Sequence, residues 1–96
     1  MGEAWLYIMS NRKNGILYVG VTNNIVRRAT EHRTGAVKGF TTRHKLDRLV
    51  HLERHESIAA AIQRETTIKG WSRAWKVRLI NSINPNWNDL YETIQA

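Results

Sequence analysis

Apolar and polar positions alternate at the start of the chain and then change period. Leu6 and Ile8 alternate with Trp5, Tyr7 and Met9, the period of two that predicts a β-strand. Asn14-Gly15 follows, and both residues tolerate the positive φ of a tight turn. The run Ile16-Leu17-Tyr18-Val19-Gly20-Val21 predicts a second strand, so the two make a hairpin. Parity places Tyr7 with Trp5 and Met9 on one face of the first strand. It places Tyr18 with Ile16 and Gly20 on one face of the second, and Leu17, Val19 and Val21 on the other. In a permissive register both tyrosines point the same way on neighbouring strands, within reach of one site.

The period then becomes helical. Asn23 or Asn24 caps a helix beginning IVRRATEHR, and Gly35 ends it. Arg28 and His32 are four apart and share a face of that helix. Residues 35–46, GAVKGFTTRHKL, read as a polar, basic loop, and RLVHLE near 48–53 predicts a third strand. Ser57 caps a second helix, IAAAIQRETTIKG, with Ile58, Ala61, Ile62 and Ile68 as its apolar stripe. Glu65 falls on that stripe. A carboxylate facing inward is costly unless paired, so Glu65 requires a cation, a hydrogen-bond network or a water-filled cleft. Ser72 caps a third helix, RAWKVRLINSI, which stops before Asn84-Pro85. The tail NWNDLYETIQ predicts a short helix or a packed extended segment, stapled to the body by Trp87 and Tyr91.

Composition narrows the class. Ninety-six residues make a single domain, 1–96, with a core over about 4–80 and a tail over 81–96. The absence of cysteine excludes disulfides and cysteine-ligated zinc, and it fits a cytoplasmic protein. No apolar run approaches the ~20 residues of a membrane helix. The opening MGEAWLYIMSNRK lacks the pattern of a signal peptide. Fifteen Lys and Arg against eight Asp and Glu give a net charge of +7. Residues 1–45 hold eight basic and two acidic side chains, a net of +6; residues 46–96 hold seven and six, a net of +1. A concentrated basic surface attracts polyanions, nucleic acid first among them.

By residue type alone each candidate has two readings. Tyr7 and Tyr18 also fit as plain sheet aromatics, since aromatics favour strands anyway; a solvated helix face is the default for Arg28 and His32, and Glu65 also fits as half of a structural ion pair with Arg28 or a nearby Lys. His51, Glu53 and His55 alternate like metal ligands but are expected at the surface. Trp71 and Trp75 are expected to pack; beside Arg73, Lys76 and Arg78 they could also stack on unpaired bases. In the loop, Lys38, Thr41, Thr42, Arg43 and Lys45 are candidates for phosphate contact.

Taken in order, Trp5-Leu6-Tyr7-Ile8, Tyr18-Val19-Gly20, Arg28, His32 and Glu65 resemble the signature of the GIY-YIG nucleases. Trp-Leu stands where the first triplet has Gly-Ile, and Val19 replaces an isoleucine. RETTIKGWSRAWKVRLI, residues 64–80, is similar to a helix pair of small stand-alone bacterial members often labelled excinuclease-like. The resemblance implies an α/β (α+β) fold, a three-stranded antiparallel sheet flanked by helices. It implies a metal-dependent endonuclease hydrolysing phosphodiester bonds, in DNA in preference to RNA. Glu65 would be the ligand of a divalent metal, Mg²⁺ or Mn²⁺. Tyr7, Tyr18, Arg28, His32 and Glu65 would form the catalytic set, with Tyr7 first as general base. Ninety-six residues leave no room for a separate recognition domain. A protein partner supplying specificity, or action on structured or damaged DNA as in DNA repair, is therefore expected. The alternative is a non-catalytic nucleic-acid-binding module of the same fold.

Overall fold

The computed structural model describes residues 3–36 and 39–95. Strand β1 (Ala4–Ser10) and strand β2 (Leu17–Thr22) form the expected hairpin, closed by Asn14 at φ 59°. Asn11 Oδ1 accepts the Ile16 amide across the turn at 3.0 Å. Helix α1 (Ile25–Thr34) starts at Asn24, whose side chain accepts the Arg27 amide, and ends at Gly35 in the left-handed conformation. Strand β3 (Arg48–His55), helix α3 (Ile58–Lys69), helix α4 (Arg73–Ile83) and a 3₁₀ turn (Leu90–Ile94) complete the chain. Ser57 and Ser72 cap α3 and α4 through their hydroxyls. The segment expected as an irregular loop contains a short helix, α2 (Phe40–Arg43). Among the described residues, no helix is long and apolar enough to cross a membrane.

The sheet order is β2-β1-β3, antiparallel throughout, so β1 is central. That position explains why every residue of β1 except Trp5 is buried. Two apolar clusters flank the sheet. Leu6, Ile8, Val19, Val50, Ile68, Ile80 and Trp87 lie on the α3–α4 side. Tyr7, Met9, Ile25, Ala29, Leu46 and Leu49 lie on the α1 side. A bulge shifts the β1–β3 register between Ile8 and Met9. It lets Val50 join the first cluster while Leu49 stays with the second.

The helical stripe on α3 differs from the expected one. Ala61 and Ile68 are fully buried, but Ile58 and Ile62 are 46% and 48% exposed. The sheet-facing side runs instead through Ala61, Arg64, Glu65 and Ile68. The tail is stapled as expected: Trp87 is in the core with Nε1 donating to Asn81 Oδ1 at 2.7 Å, and the Tyr91 and Thr30 hydroxyls are 2.8 Å apart.

Candidate active site

The β1–β2 register pairs Tyr7 with Gly20 and Met9 with Tyr18. The tyrosines are therefore diagonal neighbours on one face, with ring centroids 6.3 Å apart. The Tyr7 ring lies flat across Gly20. A Cβ at position 20 would stand 2.5 Å from Tyr7 Oη and 2.6 Å from its Cζ. Gly20 is therefore required for space, not for an unusual φ.

Helix α1 brings His32 down onto this pair. Tyr7 Oη lies 3.2 Å from His32 Nε2, and both residues are buried. The His32 ring meets Tyr7 and Tyr18 at 5.5 and 5.7 Å. Burial, then the Arg28 charge, lowers the His32 pKa below its ordinary value, so the imidazole is neutral near pH 7. Burial first, and then the neighbouring Tyr18, raises the Tyr7 phenol well above its ordinary value. Arg28 opposes that rise and Glu65 adds to it. Both charges therefore lie within electrostatic reach of the phenol, although Glu65 comes from the helix on the opposite side of the sheet. Arg28 Nε is buried without a hydrogen-bond partner. It sits 3.2 Å from Glu31 Oε1, but not in hydrogen-bonding alignment. Glu65, 21% exposed, pairs with the more exposed Lys69 at 3.0 Å, one turn along the helix.

Tyr7, Tyr18 and His32 thus meet around one phenol, and the charges of Arg28 and Glu65 act on it from two helices. The loop candidates divide. Thr41, Thr42 and Lys45 line a recess of about 180 Å³ that also reaches His32. Thr41 is buried, Arg43 is exposed outside that recess, and Lys38 lies outside the described residues.

Two expectations need correction. His51, Glu53 and His55 do not form a surface row. His51 is buried, and both histidines hydrogen-bond Glu53, at 2.8 and 3.2 Å. Arg64 clasps the same carboxylate through Nε at 3.0 Å and Nη2 at 3.1 Å, tying α3 to β3. Sequence reasoning missed this fork; the parity that sets these β3 residues toward α3 was the available signal. Among the described residues, no group of three His, Asp or Glu side chains could hold a metal. Of the two tryptophans expected to pack, only Trp71 does so, since Trp75 is 59% exposed.

A tyrosine pair seated on the hairpin glycine, an arginine and histidine four apart on the next helix, and a glutamate on the helix after the third strand define a GIY-YIG catalytic domain. The model of that domain family matches residues 3–78, and the chain belongs to the GIY-YIG family. Curated relatives that it resembles carry the name UPF0213. The chain is 42% identical over 78 residues to a UPF0213 protein of Natronomonas pharaonis, covering 81% of this chain and 91% of that one. It is 37% identical over 86 residues to one of Syntrophus aciditrophicus, covering 88% and 97%. The solution NMR structure of a UPF0213 protein from Bacillus halodurans has the same fold, with a TM-score of 0.57 at 24% identity over 98% of this chain and 99% of that one.

Proposed function

We propose that this protein is a metal-dependent endonuclease that hydrolyses phosphodiester bonds in DNA. The observation that carries the reading is the buried Tyr7 phenol, 3.2 Å from His32 Nε2 and within the electrostatic reach of Arg28 and Glu65. Glu65 would hold a divalent ion, Mg²⁺ or Mn²⁺. A single carboxylate completed by water and phosphate oxygens is ordinary coordination for Mg²⁺. When bound, such an ion supplies Lewis acidity toward the phosphoryl and departing oxygens. Lys69, 56% exposed, can swing away from Glu65 at little cost.

The chain's own groups divide the remaining work. With its proton on Nδ1, neutral His32 accepts the Tyr7 hydroxyl through Nε2 and holds that oxygen in place. When His32 Nε2 takes the phenol proton, Arg28 favours the phenolate left behind; that phenolate can then take a proton from the attacking water as the bond from phosphorus to the departing oxygen breaks. The Arg28 guanidinium, whose buried Nε has no hydrogen-bond partner, matches the phosphate oxygens on which charge accumulates. A protein partner would supply sequence or structure preference. The alternative, a binding module without catalysis, draws support from the Glu65–Lys69 pair and from a Tyr7 phenol held strongly in its protonated form.

Cleavage assays with Mg²⁺ or Mn²⁺ on single-stranded, duplex and branched DNA separate the two readings. Glu65→Gln is predicted to abolish cleavage while DNA affinity stays equal or improves, because a negative charge near phosphate is removed. Cleavage by Glu65→Gln at the wild-type rate would refute the assignment.

A further inference from the structure

Trp75 stands on α4 with its indole largely uncovered. Its ring meets Trp71 edge-on, with centroids 5.8 Å apart at 67°. Trp71 packs against the core and carries the Arg64 guanidinium 5.2 Å over its ring. Trp71, Trp75, Arg78, Leu79 and Ser82 enclose a groove of about 270 Å³. That is smaller than the roughly 300–1,000 Å³ of sites for drug-sized ligands. The groove suits one planar ring rather than a larger body.

The surrounding charge selects the occupant. Residues 66–88 contain Lys69, Arg73, Lys76 and Arg78 and no Asp or Glu. Arg73 is committed to the hairpin, donating to the Asn14 and Gly15 carbonyls at 2.9 and 2.7 Å, whereas Lys69 holds Glu65 only in an exposed pair that it can leave. Lys76 and Arg78 have no carboxylate partner among the described residues. A second copy docked on this face by a two-fold axis would bring Lys76 and Arg78 against their own counterparts, which is repulsive. An apolar peptide would satisfy the groove but not the charge. A nucleobase satisfies both: its π face stacks on an exposed indole while the flanking phosphates meet the cations.

We infer that α4 carries a stacking site for an unpaired nucleobase, with Trp75 as the platform and Lys76 and Arg78 contacting the adjoining phosphates. Arg64, which lies over Trp71, immediately precedes Glu65 on α3. A strand anchored on α4 is thereby placed beside the same helix that presents the candidate metal carboxylate. The inference rests on the nucleic-acid reading of the chain but not on cleavage.

The test measures binding in the Glu65→Gln chain, by anisotropy and tryptophan quenching. The probes are a short single-stranded oligothymidylate and a duplex hairpin of equal charge. Trp75→Ala should weaken single-strand binding about 5- to 150-fold, the stacking range for one base, while duplex affinity changes less than about twofold. Trp75→Phe should restore most of the loss, because it keeps a π face. Equal losses on both probes, or no loss on the single strand, overturn the stacking site. So does a concentration-dependent dimer that Trp75→Ala dissolves, since the groove would then belong to a second copy. Cleavage by the chain with Glu65 intact is scored separately. Selective single-strand loss without any cleavage keeps the stacking site and removes the nuclease reading. Cleavage with an unaffected Trp75→Ala does the reverse.

Discussion

Replacing Gly20 by alanine adds a single methyl group, and the structure says where it lands. The new Cβ would stand 2.5 Å from Tyr7 Oη and 2.6 Å from Cζ, well inside van der Waals contact. Tyr7 cannot yield cheaply. It is 1% exposed, its hydroxyl is 3.2 Å from His32 Nε2, and its ring is bounded by Tyr18 and His32. Overpacking of a fixed core commonly costs about 1–3 kcal/mol. Because Gly20 does not have the positive φ that favours glycine, alanine also recovers about 0.4–1 kcal/mol by restricting the unfolded chain. The predicted net loss is about 1–2 kcal/mol, or roughly 5–15 °C in Tm for a domain of this size. Activity should fall further than stability, because the displaced atom is the phenol oxygen itself. Thermal denaturation and single-turnover cleavage at a temperature where the variant is fully folded measure the two effects separately. The decisive comparison is a double-mutant cycle. In a Tyr7→Ala background the clash is gone, so Gly20→Ala should become neutral or stabilising. If Gly20→Ala costs the same with and without the Tyr7 ring, or costs nothing in the wild type, the spatial role assigned to Gly20 is wrong.

The remaining predictions address charge. Arg28→Ala should lower kcat by ~10²–10³ with little change in substrate affinity, as expected for a donor that matters most in the transition state. Arg28→Lys should recover only part of this, because lysine lacks the planar fork; full recovery in steady-state kinetics would contradict the two-donor role. Burial alone would raise the Glu53 carboxyl, but hydrogen bonds from His51, Arg64 and His55 outweigh it and bring its pKa to about 2. The folded value is depressed, so this stabilisation is present above the unfolded value of 4.5 and is lost as pH falls through about 2. Urea titrations should show a loss on the order of 2–3 kcal/mol across that window, and Glu53→Gln should flatten it; an unchanged pH dependence would remove Glu53 as the acid-sensitive group. DNA affinity should fall with salt at a slope of about −0.9 per neutralised phosphate on duplex. Combined replacement of Lys38, Arg43 and Lys45 by alanine should flatten that slope, and an unchanged slope would move the duplex footprint to residues 64–78.

Much of the architecture is local in origin, and that part was legible in the chain. Strand parity alone put Tyr7 and Tyr18 on one face, because side chains alternate whatever the partner. The caps at Asn24, Ser57 and Ser72 follow from orphan amides at each helix start, which a nearby Asn or Ser oxygen satisfies without tertiary help. Arg28 and His32 share a helical face by spacing alone. What the tertiary structure decided were the quantities set by distant pairs. The β1–β2 register put Gly20, rather than a larger residue, beneath the Tyr7 ring. Rotation of α3 about its axis exposed Ile58 and Ile62 and turned Arg64 toward Glu53, because the helix optimises its contacts with a sheet whose strands lie far away in sequence. The same long-range packing made His51 a buried ligand of Glu53 instead of a surface residue. It also left Trp75 uncovered on α4: periodicity identifies an apolar residue on a helix, but only the placement of the other layers determines whether anything covers it.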